Sequence, residues 1–166
     1  MKKTIEIDGK SYRRWNPRRL AIHECGHAVI ARVLGIQVNK VTLVPSPGGE
    51  GHCLWIIATK TEDNIAVCLA GMLAEVLLLD ARLPNGEDFN TDRFAPDRRL
   101  VERFLERIPA SDARTLWEIM ERTQALVLDN KRSILKMSRV LLREKQLDAA
   151  AILAFLTANA ATKKAA

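Results

Sequence analysis

The residues best suited to chemistry are His23, Glu24 and His27, in the run His23-Glu24-Cys25-Gly26-His27. Histidines four apart on a helix are neighbours on one face. That spacing lets both rings meet one Zn²⁺ at ~2.0–2.1 Å. Glu24 follows the first histidine directly, where its carboxylate can reach a metal-bound water. Zinc lowers the pKa of such a water, and the glutamate takes its proton as it attacks a carbonyl. Chance spacing is the competing explanation. The chain has three histidines, and two of them stand in this arrangement beside a glutamate. Burying two unligated imidazoles and a carboxylate would be costly, which favours the metal.

A catalytic zinc needs a third protein ligand and an open position. Asp97, Asp92, Asp88, Glu75 and His52 are the candidates. Glu75 is the only charge in a long apolar helical segment. A buried carboxylate needs a partner, here either a metal or the outer nitrogen of a ligand histidine. Gly26 costs its helix about 1 kcal/mol relative to alanine, a cost that close packing of another backbone would offset. Cys25 lies on the side roughly opposite His23 and is expected in the core.

The elements that position these residues follow from local signals. Thr4–Ile7 and Lys10–Arg13 flank Asp8-Gly9, a hairpin turn signal. Asn16-Pro17 is an N-cap followed by a first-turn proline. The helix after it is apolar on two sides, with Leu20, Ile30 and Leu34 on the histidine face and Ile22, Val29 and Val33 on another. Gly35 ends it. Val38–Val44 and His52–Ala58 are expected as antiparallel strands around a breaker-rich loop, Pro45–Gly51. A second helix is expected from Thr61–Asn64 to about Ala81, then a loop over Leu83–Asn90. A third helix begins near Pro96, with Leu100, Val101, Phe104, Leu105 and Ile108 on its apolar face. Pro109-Ala110-Ser111 breaks the chain, and Ser111 caps a fourth helix lined by Leu116, Met120, Thr123 and Val127. A fifth holds Ile134, Met137, Leu141 and Leu142. A short last helix holds Leu147, Ile152, Leu153 and Leu156, and residues 157–166 are expected to fray.

The 166 residues are 48% apolar and 28% charged, with net charge +6. This predicts one globular domain, residues 1–166, with 1–15 as an N-terminal extension. Cys25, Cys53 and Cys68 are odd in number and far apart. That argues against a disulfide framework or a four-cysteine zinc site. The basic residues are dispersed, without a recognition motif or aromatic stacking cluster, so no nucleic-acid binding is expected. The longest apolar run, Ile65–Leu79, is about 15 residues with Glu75 inside it, short of the ~20 a membrane span needs. No secretory signal opens the chain. A cytoplasmic protein is expected.

The His-Glu-x-Gly-His-Ala run resembles the zinc motif of FtsH-type proteases, the ATP-dependent metallopeptidases of bacteria, mitochondria and chloroplasts. Lys40–Pro45 resembles the strand after the metal helix there, and Gly51 stands where that family has a glycine opening its next strand. Leu69–Glu75 resembles the family's Ala-Gly-Arg-Ala-Ala-Glu segment, with Met72 at the arginine position. Leu141–Leu147 resembles a leucine-rich stretch near the end of the peptidase domain. The resemblance spans about Arg19 to Leu156. It implies a mainly α (α+β) zincin-like peptidase domain with a small sheet, one zinc per chain, an Asp third ligand, and a Glu supporting the site. It also implies peptide-bond hydrolysis in the cytoplasm. No Gly-x-x-x-x-Gly-Lys-Ser/Thr loop occurs, so no ATP is expected here.

That family's Asp stands at the start of a helix, where Asp92 and Asp97 both fit. From Asp97, positions +3, +4, +7, +8 and +11 are Leu100, Val101, Phe104, Leu105 and Ile108, so Asp97 shares a buried stripe. From Asp92, position +4 is Pro96, poorly tolerated inside a helix. Asp97 is therefore expected as the ligand, with Asp92 second. The resulting expectation is a zinc metallopeptidase: Glu24 as base, His23, His27 and Asp97 as ligands, and Glu75 orienting them. Its substrate would be a peptide or protein, and a homo-oligomer is allowed. The strand His52–Ala58 would bind substrate along its edge. The alternatives are an idle metal-binding protein on the same fold, or a zinc hydrolase of small amides. The donor set also accepts Mn²⁺, Fe²⁺ or Co²⁺.

Overall fold

A computed structural model describes residues 4–7, 10–13, 16–45, 51–108 and 116–164, with side chains for 16–45, 51–108 and 116–158. The fold is mainly α with small antiparallel sheets. In chain order the elements are β1 (Thr4–Ile7), β2 (Lys10–Arg13), α1 (Pro17–Val33), β3 (Val38–Thr42), β4 (His52–Trp55), α2 (Thr61–Leu78), α3 (Gly86–Phe89), a 3₁₀ turn (Asp92–Phe94), α4 (Ala95–Leu105), α5 (Leu116–Asp129), α6 (Lys131–Glu144), β5 (Gln146–Asp148) and α7 (Ala149–Lys164). No described helix is long and apolar enough to cross a membrane. The turn at Asp8-Gly9, the loop at 46–50 and the Ser111 cap lie outside the described residues.

Helix α1 is the axis of the molecule. Every residue from Leu20 to Ala31 is buried. Asn16 caps it, its side chain accepting from the Arg18 N–H at 2.9 Å. At the other end, Gly35 takes φ +78°, its N–H bonds to the Arg32 carbonyl, and the Ile36 N–H bonds to the Ala31 carbonyl at 2.8 Å. This is a Schellman closure, and its left-handed residue is a glycine because glycine has no Cβ to clash there. Val33, expected inside, is 46% exposed.

Helix α2, buried from Asn64 to Val76, packs along α1, while α6 covers α1 and α4 and α5 cover α2. The two central helices meet through small residues. A Cβ built on Gly26 would lie 2.7 Å from the Ala70 carbonyl oxygen and 2.9 Å from Ala74 Cβ. Asn64, 1% exposed, pins the loop entering α2: its Oδ1 accepts from the Ala58 N–H at 2.9 Å and its Nδ2 donates to the Ala58 carbonyl at 2.8 Å.

The three-stranded sheet has the order β4-β3-β5, antiparallel throughout. Cys53, Val41 and Leu147 lie opposite one another and are all buried, so one row faces the core. The outer edge of β4 pairs with no described strand.

Several boundaries differ from expectation. The second helix stops at Leu78, because Ala81 takes φ +51°. The strands end earlier, at Thr42 and Trp55, where Thr42 Oγ1 takes the Val44 N–H at 3.0 Å and Gln37 takes the Ile56 N–H at 2.9 Å. The loop over Leu83–Asn90 contains α3, closed by a reciprocal capping box between Asn85 and Asp88. Leu147 is in a strand, not a helix: Lys145, at φ +65°, ends α6 and turns the chain onto β3. The last helix continues past Thr157 to Lys164; its alanines are the strongest helix formers.

Gly26→Ala gains about 1 kcal/mol of helix propensity but overpacks the α1–α2 contact, which costs about 1–3 kcal/mol. Urea unfolding is expected to show a net loss of stability. A gain would mean that the helices separate easily at this point.

Candidate metal centre

The i, i+4 spacing turns His23 and His27 to the same side of α1, where their Nε2 atoms approach to 3.0 Å. Both rings are buried. Asp97, in the first turn of α4, arrives from the other side of the site's sequence. Its Oδ2 lies 3.0 Å from His23 Nε2 and its Oδ1 3.6 Å from His27 Nε2. One donor atom from each of the three residues lies within 4.8 Å of the others.

The outer nitrogens decide what these atoms are. His27 Nδ1 donates to the Val67 carbonyl at 2.6 Å. His23 Nδ1 donates to Glu75 Oε1 at 3.0 Å. A carbonyl and a carboxylate only accept, so the partners assign the Nδ1–H tautomer to each neutral ring. Both Nε2 atoms then carry lone pairs, and they face each other and a carboxylate. Three acceptors converging in a buried place repel one another unless a positive charge lies among them. A ligand set of two imidazoles and a carboxylate suits a catalytic zinc.

The proton equilibria show the same demand for positive charge. Burial, the largest influence on His23, pulls its pKa down, but the Asp97 charge and hydrogen bond, with Glu24, outweigh it and the pKa is raised. His27 is lowered to about 4, chiefly by burial, with Asp97 opposing. Asp97 is lowered although burial pushes it up, because His27 and His23 both hold its charge. His23 thus takes up a proton more readily than a free imidazole, which places positive charge among the acceptors, while His27 is held neutral.

Glu24 is buried within the same helix turn. Burial lifts its carboxyl to about 8, with His23 pulling down and Asp97 pushing up. No hydrogen bond or ion pair among the described residues engages its carboxylate. Glu75 is 0% exposed and lies outside the converging group, on the far nitrogen of His23. Its Oε2 accepts from Arg19 Nε at 3.1 Å and pairs with Arg93. Arg19 also forks onto Asp80 at 2.8 and 2.9 Å.

The other ligand candidates are elsewhere. Asp92 is exposed on the 3₁₀ turn. Asp88 caps α3 and pairs with Arg82. His52 lies on β4 opposite Thr42. Cys25, Cys53 and Cys68 are buried free thiols, and burial pushes each of them up.

The sequence signals did not single out Gly71, Phe94, Trp55, Arg19 or Arg93. Gly71 faces the site from α2: a Cβ built there would fall against His27 Nε2 and within 2.7 Å of His23 Nε2. Its signal was available, as a second mid-helix glycine four residues before Glu75. Phe94 stacks on His23, with centroids 5.7 Å apart and planes at 4°. Trp55 lies over His27 at 6.0 Å and 26°.

No family model matches the chain. Among curated proteins it is similar to the ATP-dependent zinc metalloprotease FtsH of Veillonella parvula, 25% identical over 176 residues, covering 80% of this chain and 27% of that protein. FtsH 2 of Symbiobacterium thermophilum is 28% identical over 106 residues, 58% of this chain and 18% of that protein. FtsH 3 of Petrotoga mobilis is 33% identical over 96 residues, 51% and 15% respectively. The chain is thus distantly homologous to zinc metalloproteases and spans about a quarter or less of their length.

Gly71→Ala is expected to keep the helices, since alanine is the better helix former, and to weaken zinc binding by roughly 100-fold or more, at or beyond the upper end of what losing a supporting group does. Competition against a chromophoric chelator measures it. Unchanged affinity would show that the two rings have room to retreat.

Proposed function

We propose that the chain is a zinc-dependent metallopeptidase, with His23, His27 and Asp97 holding the metal and Glu24 as general base. The observation that carries this is the convergence of three lone-pair donors beside a buried carboxylate with no other partner among the described residues. Metal storage alone explains the donors and leaves Glu24 without a purpose. The similarity to zinc metalloproteases supports the same choice.

Bound zinc supplies acidification of water and polarisation of a carbonyl. The protein does the rest. The Val67 carbonyl and Glu75 hold the two imidazoles in the tautomer that offers Nε2. Glu24 accepts a proton from the attacking water and delivers it to the leaving amine. Held by His23, His27 and Asp97, a cation would lower the Glu24 pKa, in the direction His23 already pulls it. Glu24, lifted by burial to about 8, would then move toward the range where it is a base at neutral pH.

An extended peptide would pair with the outer edge of β4. Trp55, at the end of that strand, packs on His27, so a chain on this edge runs toward the metal ligands. The described elements would serve as one peptidase domain. The ATP dependence in the relatives' names belongs to those proteins.

Glu24→Gln is expected to retain about one zinc per chain and to lower cleavage of a fluorogenic peptide library by roughly 10²–10⁴-fold. Metal content and turnover are read on the same preparation. A wild-type rate in the variant would remove Glu24 as the base. Full zinc occupancy with no cleavage by the unaltered protein would favour an idle metal-binding protein, and cleavage of small amides alone would favour the amidase.

A further inference from the structure

The carboxylate of Glu75 has more partners than support of one histidine needs. Oε1 takes the His23 Nδ1–H at 3.0 Å. Oε2 takes Arg19 Nε at 3.1 Å. Arg19 is further occupied by Asp80. Yet Arg93 makes a second ion pair with Oε2. Burial and the neighbouring charge of Arg19 bring Arg93 down to about 10, so it stays cationic at neutral pH. Arg19 and Arg93 together match the charges of Asp80 and Glu75, and the place of Arg93 in the fold gives it a further task.

The position of Arg93 identifies that task. It sits on the 3₁₀ turn that leads into α4, four residues before Asp97. Its guanidinium lies 5.0 Å from the centroid of the Phe94 ring, and Phe94 is stacked on His23. Arg93 therefore touches both supports of the His23 ring, the carboxylate at its Nδ1 and the aromatic ring at its face. It also ties α2, through Glu75, to the segment that delivers Asp97. A planar guanidinium holds a carboxylate in a set orientation, where an ammonium provides only a point charge.

We propose that Arg93 is a positioning residue of the metal centre, one that turns Glu75 Oε1 onto His23 and holds the Asp97 segment against the two histidines. This rests on His23, His27 and Asp97 being the metal ligands. Arg93 touches neither metal nor substrate and acts through Glu75 and Phe94. A merely structural ion pair would dock the turn onto α2 without setting the state of His23.

The test uses the full chain with Arg93→Ala, Arg93→Lys and Glu75→Gln. In zinc-free, ¹⁵N-labelled protein at alkaline pH, long-range ¹H–¹⁵N correlation reads the histidine tautomers. The unaltered protein is expected to show His23 as Nδ1–H. Arg93→Ala is expected to mix in the Nε2–H form at His23 and leave His27, held by the Val67 carbonyl, unchanged. Arg93→Lys is expected to fall between the two. In chelator competition, Arg93→Ala is expected to bind zinc about 10-fold more weakly, with no further loss when added to Glu75→Gln. An unaltered His23 tautomer in Arg93→Ala overturns the proposal, and so do multiplicative losses with Glu75→Gln. Should Arg93→Ala not fold, Arg93→Lys decides by the same two readouts. If the unaltered protein binds no zinc, the ligand assignment fails, and the tautomer measurement still decides whether Arg93 sets His23.

Discussion

Two imidazole nitrogens whose Nδ1 protons are already committed stand 3.0 Å apart between α1 and its neighbours, with a carboxylate 3.0 and 3.6 Å away. Like lone pairs held this close in a dry interior repel, and burial removes the water that would screen them. Much of the molecule follows from holding that arrangement together. The rings need acceptors on their outer nitrogens, which is why a backbone carbonyl of α2 and a fully buried glutamate of α2 point at α1. They need walls that stop them rotating, which Phe94 and Trp55 supply. They need an open space in front of Nε2, which only a glycine at position 71 leaves.

The same constraint explains where the two central helices give up stability. Gly26 and Gly71 each sit inside a helix, where glycine costs about 1 kcal/mol. Gly26 lets the Ala70 carbonyl and Ala74 come within contact of α1. Close approach brings the Val67 carbonyl and Glu75 within reach of the histidines. The buried charge of Glu75 would be costly alone; Arg19, Arg93 and the His23 N–H offset that cost from different elements. The stability given up in the helices is returned as a fixed orientation of two rings.

Legibility in the sequence tracked the range of the forces involved. The ends of α1 were readable because Asn16, Pro17 and Gly35 act through bonds within a few residues. The proximity of Asp97, and not Asp92, to the histidines was readable from helix phase, because Pro96 forces a helix start between them. That Glu75 needs a partner was readable from its apolar surroundings, but Arg19 and Arg93 are 56 and 18 positions away in sequence, and nothing local marks them. Strand β5 has three residues, too few to show an alternating pattern, and forms only because Lys145 turns the chain onto β3. Helix α7 continues through residues 157–164, where the alanine-rich sequence has high helix propensity.

The central claim is that a cation belongs among His23 Nε2, His27 Nε2 and the Asp97 carboxylate. Crystals grown with zinc and measured on both sides of the zinc absorption edge test it most directly. One anomalous peak is predicted, ~2.0–2.1 Å from each Nε2 and ~2.0–2.2 Å from an Asp97 oxygen, with both Nδ1 atoms still on Val67 and Glu75. A zinc bound elsewhere, or these three side chains turned away from one another with no peak between them, would contradict it.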